Sequence, residues 1–375
     1  MPGVIVVVGE VVAGAPAVTE MIVGLTTFCL WLLILRPLTP TQILETVRNA
    51  LLIVILTILV AFIAGVSRPY TRWYRFDANA VESRGGLTPF RWYLPLSSSW
   101  EPPAVLAVLL GLVSLTLLIT QGHRQKALSF AGFLVSAVTI FGVNGRTAEL
   151  VFISGTLAIT AAIYLRWIRV AALLVATAFM FLPLIYSAVA FIAQQFSSLI
   201  VSSGLAASSA KFSTLEGRTI IWDTTLRVFS DASPIRKIFG YGANGYITSG
   251  ASGIYSQQFY GSAGSGGYRV SFYDTHNLLL GVMLSHGLFG ILVLVVCWAA
   301  VLQRAVARIE GIGWAAPFIG AWVFGTMSST STSCTPSNAT YGIVTLVLLV
   351  IPFLQKGLNS NAAIQSPTGA HERGQ

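Results

Sequence analysis

The sequence predicts an all-α protein that crosses a membrane many times, and three observations carry that reading. Hydrophobic residues make up 55% of the chain and charged residues only 9%, whereas a soluble domain of this size carries about a quarter charged residues. The apolar residues gather into runs close to the ~20 needed to cross a ~30 Å hydrocarbon core as a helix. The alternating polarity of a membrane β-barrel is missing from those runs. The predicted fold is a polytopic helical membrane protein of about ten spans at ~20 residues each. One integral domain covers 1–356, with a long extracytoplasmic loop at 194–276 and a disordered cytoplasmic tail at 357–375.

In chain order, two short apolar stretches at 3–18 and 17–35 read as a hairpin, and 43–66 is the next span. A polar segment follows at 66–102, in which Arg68, Arg72, Arg75, Arg84 and Arg91 are interleaved with Trp73, Tyr74, Trp92, Tyr93 and Trp100. Further spans fall at 103–120, 127–143, 147–165, 170–193, 277–302, 312–327 and 339–354. Taking alternate connections as cytoplasmic assigns to that side Arg36 and Arg48, Arg124 and Lys126, Arg166 and Arg169, Arg304 and Arg308, then Lys356. All of these connections are short and basic, as the positive-inside rule requires. The 66–102 segment, the turn at 144–146 and the 194–276 loop then face away from the cytoplasm, where ATP and NAD(P)H are absent.

The net charge of +9 and a pI near 9.7 could suggest a nucleic-acid partner. In a membrane protein they read instead as cytoplasmic loop charge and contact with anionic lipid. Cys29, Cys297 and Cys334 are far apart and form no CxxC or Cys/His cluster, so neither a metal nor a disulfide framework is expected. Gly240, Gly242 and Gly245 in FGYGANGY fit G-x-G-x-x-G, but the dinucleotide fingerprint needs a βαβ unit around it. A turn with positive φ angles accounts for the spacing, and a nest of backbone N–H groups around a phosphate is the alternative.

Three candidate groups stand at membrane boundaries. Arg146 lies in NGRTAEL between two apolar runs, with Glu149 one helical turn on. The pair is either an intrahelical ion pair that makes the arginine tolerable, or a guanidinium aimed at an anion with Glu149 fixing its rotamer. Arg218 opens an amphipathic helix in which Ile221, Trp222, Thr225, Leu226 and Phe229 form one stripe, with Asp223 and Arg227 off it. Such a helix is expected to lie along the membrane interface, where Arg218 could hold a lipid phosphate or a substrate. His276 is the only histidine at an outward boundary, since His123 lies in a cytoplasmic turn, His286 inside a span and His371 in the tail. It is either structural or a proton acceptor for a hydroxyl. Asp274, two residues before it, could orient the ring from a loop.

Together these residues carry a resemblance. The pattern G-R-x3-W (Gly217, Arg218, Trp222), the FGYGANGY turn and H-N-x-L-x6-H-G-L-F-G (His276 to Gly290) resemble the bacterial O-antigen ligase and polymerase superfamily. The N-G-R turn at Arg146 looks like that family's first arginine motif. The resemblance covers about 127–302, and Ser285 stands where relatives commonly carry a glutamate. It implies a metal- and nucleotide-independent transfer of a glycan from a polyprenyl-pyrophosphate donor to an acceptor hydroxyl, outside the cytoplasmic membrane of a bacterium. By the same resemblance Arg146 and Arg218 would neutralise the pyrophosphate, and His276 would act as base or orient the acceptor. Glu149 and Asp274 would be orienting residues, and Trp222, Asn277, Arg84 and Arg91 would complete the substrate site. The acceptor could be a glycan, a lipid or wall core, or a protein, as in an O-oligosaccharyltransferase. A transporter or flippase of the same lipid-linked sugar is a rival of another class, and a structural scaffold of the envelope a third.

Overall fold

The structure is a computed structural model that describes residues 38–65, 92, 94, 101–120, 123–143, 145–185, 218–242, 245–260, 275–306 and 312–327. All regular elements among them are helical. Five helices are long and apolar enough to cross a membrane, and the protein is multi-pass on that ground. The expected spans at 3–18, 17–35 and 339–354, the end of the one at 170–193, and the tail lie outside the described residues.

Helix α1 (Pro40–Ile63) opens on a reciprocal cap. Gln42 N–H donates to the Thr39 hydroxyl at 3.3 Å, and Thr39 N–H donates to the Gln42 side-chain carbonyl at 2.9 Å. Two orphan N–H groups are thereby satisfied, and Pro40 adds a preset φ where no N–H is needed. Helix α2 (Glu101–Thr120) is apolar all round, and nearly every residue from Ala104 to Val113 is buried; a helix of that kind belongs at the centre of a bundle. Helix α3 (His123–Val143) packs closely on it, with Gly111 against Ser136 and Gly132 against Ser114. Without water between them, membrane helices gain most from such small-residue crossings.

Helix α4 (Arg146–Tyr164) and helix α5 (Arg166–Met180) are joined by Leu165 alone and pack on each other. α5 ends at Met180, where a 3₁₀ turn at Leu182–Leu184 carries Pro183, which cannot continue an α-helical ladder. The 194–276 loop contains helices α6 (Arg218–Ser230), α7 (Pro234–Phe239), α8 (Gly245–Thr248) and α9 (Ala251–Tyr260). Helix α10 (Leu278–Val306) and helix α11 (Ala315–Met327) complete the described bundle. The main apolar core joins α1 to α5 with α10 and α11, and a second cluster joins α6 and α9 to the first turns of α10.

The two ends of the bundle are chemically different. At one end the Arg166 guanidinium donates to the Val306 carbonyl at 2.8 Å and Arg169 lies 3.8 Å over the Trp314 ring. At the other end α1, α3 and α5 finish, α4 and α10 begin, and the loop helices gather. Arg48, expected in a connection, instead lies inside α1 and is 2% exposed. It donates to the Ser129 hydroxyl at 2.7 Å and to the Asn49 side-chain carbonyl at 3.0 Å. A guanidinium buried there is tolerable because donors on both its Nε and a terminal nitrogen are paired within the protein.

Candidate active site at the loop end of the bundle

The local sequence Thr275-His276-Asn277 builds the start of α10. Asn277 is the N-cap: its side-chain carbonyl accepts from Leu280 N–H at 3.2 Å, the standard bond of a capping asparagine. Its amide donates to the Met180 carbonyl at 3.3 Å, tying the start of α10 to the end of α5. The Thr275 hydroxyl donates to the Asn277 carbonyl at 2.9 Å. Both neighbours are fully buried, while His276 between them is partly exposed. His276 has φ +46, the only positive φ at a non-glycine among the described residues. For a residue with a Cβ that conformation stores about 1–3 kcal/mol and persists only where the surroundings impose it.

Arg218 is the first residue of α6 and is half-buried. One turn on, Trp222 is fully buried in a cluster with Ile221, Ala251, Tyr255, Leu280, Met283 and Leu284. Trp222 therefore seats α6 on the first turns of α10, the same stretch that His276 precedes. The predicted stripe is present, with Ile221, Trp222 and Thr225 buried and Leu226 and Phe229 packed beside them. It packs against α9 and α10, which bury Ile221, Trp222 and Thr225 and partly cover Leu226 and Phe229. Asp223 and Arg227 pair at 2.9 Å on the exposed side.

Arg146 opens α4 directly after Gly145, and its side chain lies outside the described residues. Glu149, in the same first turn, is 4% exposed, and its N–H donates to the Gly145 carbonyl at 2.9 Å. A carboxylate there is favoured by the helix dipole. Of the polar 66–102 segment, Trp92 donates its N–H to the Gly142 carbonyl at 2.7 Å and stacks 5.6 Å from Phe62. That segment thus reaches the ends of α1 and α3, next to the turn that carries Arg146. Arg84, Arg91 and Asp274 lie outside the described residues.

The glycine turn is docked on a break in α10. Gly287 has φ 64 and ψ −160 within that helix. In an unbroken helix the carbonyls of Leu284 and Ser285 would accept from residues 288 and 289. Here they accept instead from Tyr241 N–H at 2.7 Å and Gly242 N–H at 3.0 Å, and the Ser285 hydroxyl accepts from Gly245 N–H at 3.2 Å. A Cβ on Gly240 (φ +78) would stand 2.4 Å from the backbone of Ser285 and His286, and one on Gly287 2.4 Å from the Ile238 carbonyl. The turn reading of FGYGANGY therefore holds, and the N–H groups of Gly240, Tyr241, Gly242 and Gly245 are all committed to protein acceptors. They do not form a phosphate nest.

Arg146 is the first residue of α4, Arg218 the first of α6, and His276 immediately precedes the cap of α10. A cation at a helix N-terminus adds to the partial positive charge of the unpaired N–H groups, at about 0.3–1 kcal/mol each. This repeated choice of a basic side chain at the wrong end of a helix suits an anionic ligand. Sequence reasoning found these residues singly but missed Thr275, Ser285 and Met180 as their supports. Threonine and asparagine ahead of an apolar run were the available signal for the cap, and Gly287 with Gly290 inside an apolar helix for the break. Among the described residues no group of His, Cys, Asp and Glu has the makings of a metal site.

A helical membrane protein with a basic residue at the starts of α4, α6 and α10 is the class that this fold and site define. Residues 131–295 match the family model described as O-antigen ligase, in keeping with the resemblance to the ligase and polymerase superfamily. The match runs from α3 into α10 and includes Arg146, Arg218, the glycine turn and His276 to Gly290, but none of the arginines in 66–102. It implies glycan transfer of the O-antigen ligase or polymerase kind. No curated protein and no solved structure matches the chain.

Proposed function

We propose that the protein transfers a glycan from a polyprenyl-pyrophosphate carrier to an acceptor hydroxyl at the outer face of a bacterial cytoplasmic membrane. The bond between the anomeric carbon and the pyrophosphate oxygen breaks, and a new bond joins that carbon to the acceptor oxygen. The acceptor proton passes to His276, and the negative charge that grows on the leaving pyrophosphate is met by Arg146 and Arg218. Glu149 and Asp274 orient Arg146 and His276. Trp222 and Asn277, both fully buried, serve as positioning residues for Arg218 and His276; Arg84 and Arg91 bind acceptor or sugar. The single observation that supports this reading is the recurrence of a basic residue at three helix starts within the stretch that matches the family.

A transporter or flippase of the same lipid-linked sugar is the second reading, and two features favour it. Broken helices and charges within the span are common in transporters, and here α10 is broken at Gly287 and Arg48 is buried within α1. The test uses reconstituted full-length protein, a polyprenyl-pyrophosphate glycan and a candidate acceptor, with glycosylated product followed by mass. Product that disappears in His276→Ala is the expected result. Movement of intact donor across the bilayer with no glycosidic product would replace transfer with transport.

A further inference from the structure

The helix that leads into the glycine turn has no part in the proposed chemistry, yet its surface is unusual. α7 starts with Pro234 after Ser233 and ends at Gly240, whose N–H donates to the Arg236 carbonyl at 2.8 Å. Proline at the first position and a left-handed glycine at the last fix its length. Ile235 and Ile238, one turn apart, are 56% and 47% exposed. Arg236 and Lys237 stand between them. Arg236 lies 5.5 Å over the Tyr241 ring, and among the described residues neither cation pairs with a carboxylate.

The position of α7 along α10 gives this surface a meaning. Its last residues are pressed on the break, with the Ile238 carbonyl against Gly287 and the Phe239 ring 6.4 Å from that of Phe289. Before the break, Leu278 to Leu284 are buried on every side. After it, Leu288, Phe289, Leu292, Val295 and Val296 are exposed along one face. From Leu288 to Val306 the helix runs about 28 Å at 1.5 Å per residue, the thickness of a hydrocarbon core. The break thus falls about one hydrocarbon thickness before the end of α10, and the exposed Ile235 and Ile238 belong to a helix packed on that break.

We propose that α7 is an interfacial anchor: Ile235 and Ile238 enter the acyl region of the outer leaflet, and Arg236 and Lys237 rest on the phosphates of anionic phospholipid. Short basic and apolar helices bind a membrane surface by this division of labour. The anchor would fix the height of the loop, and with it of α6, above the bilayer.

The test places an environment-sensitive fluorophore at Ile235→Cys or Ile238→Cys in the full-length protein with Cys29, Cys297 and Cys334 replaced by alanine. Two positions are used so that failure of one variant to fold leaves the other. The labelled protein is reconstituted in phosphatidylcholine vesicles with and without phosphatidylglycerol. Expected are blue-shifted emission, quenching by lipids spin-labelled near the top of the acyl chain, and protection from iodide that strengthens with phosphatidylglycerol. In R236E/K237E that strengthening should be lost and the emission should move to the red. Quenching by iodide in both compositions would overturn the proposal, as would protection from both quenchers, which would mean that protein covers the face. Lipid quenching indifferent to phosphatidylglycerol and to charge reversal would overturn the phosphate contact, and a shift seen only on adding polyprenyl pyrophosphate would transfer the surface to the donor.

Discussion

At the scale of single residues, His276 unites strain and chemistry at one position, and the two can be separated by mutation. Glycine adopts φ +46 without a Cβ penalty, whereas alanine keeps the strain. His276→Gly should therefore unfold at a temperature equal to or above that of wild type, and His276→Ala at or slightly below it, while both lose transfer. Thermal unfolding in detergent together with the product assay checks this; a glycine variant that transfers sugar as wild type does would leave His276 a purely structural role. Arg146 and Arg218 call for a different comparison. If each presents a planar fork to a pyrophosphate, lysine cannot replace it, and Arg146→Lys and Arg218→Lys should each slow transfer about 10²-fold or more. Unchanged kcat with a raised KM would point instead to plain charge attraction.

The elements hold together through contacts that hydropathy does not reveal. The turn at Gly240 and the break at Gly287 approach each other backbone to backbone, so an added methyl group at either has nowhere to go. Gly240→Ala and Gly287→Ala should each cost about 1–3 kcal/mol and expose residues 239–260 to hydrogen exchange. Gly253 lies in α9 with nothing within 4 Å of its missing Cβ, and there alanine should be neutral or gain up to about 1 kcal/mol of helix propensity. Equal exchange in all three variants would remove the docking role of the turn. The sequence made the stripe of α6 legible because helical period is written in residue spacing. What covers the stripe was not legible, because spacing names no partner. For the same reason Arg48 read as a loop residue: its acceptor, Ser129, lies 81 positions away. Arg146, Arg218 and His276 were found because their charge or ring stood at the edge of an apolar run, whereas Thr275 and Ser285 are small and polar in a chain full of such residues.

For the molecule as a whole, the orientation is an expectation drawn from its basic connections. Arg166 and Arg169 are held at one end by Val306 and Trp314, and the positive-inside rule assigns that end to the cytoplasm. Cysteines at Ser208 and Ser265 should then react with a membrane-impermeant maleimide in intact cells, and one at Gln125 only after lysis. Labelling of 125 alone would invert the protein and withdraw the catalytic proposal with it.

The bond from Asn277 to the Met180 carbonyl spans 97 positions of the chain, and this separation sets an order of events during synthesis. α4 and α5, with Arg146, leave the ribosome and can enter the membrane while the residues that follow are still untranslated. Arg218 follows with its loop, and the bond from Asn277 to Met180 can form only when α10 has been made. On the proposed function, the three basic residues are all in place only once α10 has inserted, and a chain cut before α10 should transfer no sugar. The length of the intervening loop is of little consequence to that closure, since each doubling adds only about 0.6 kcal/mol.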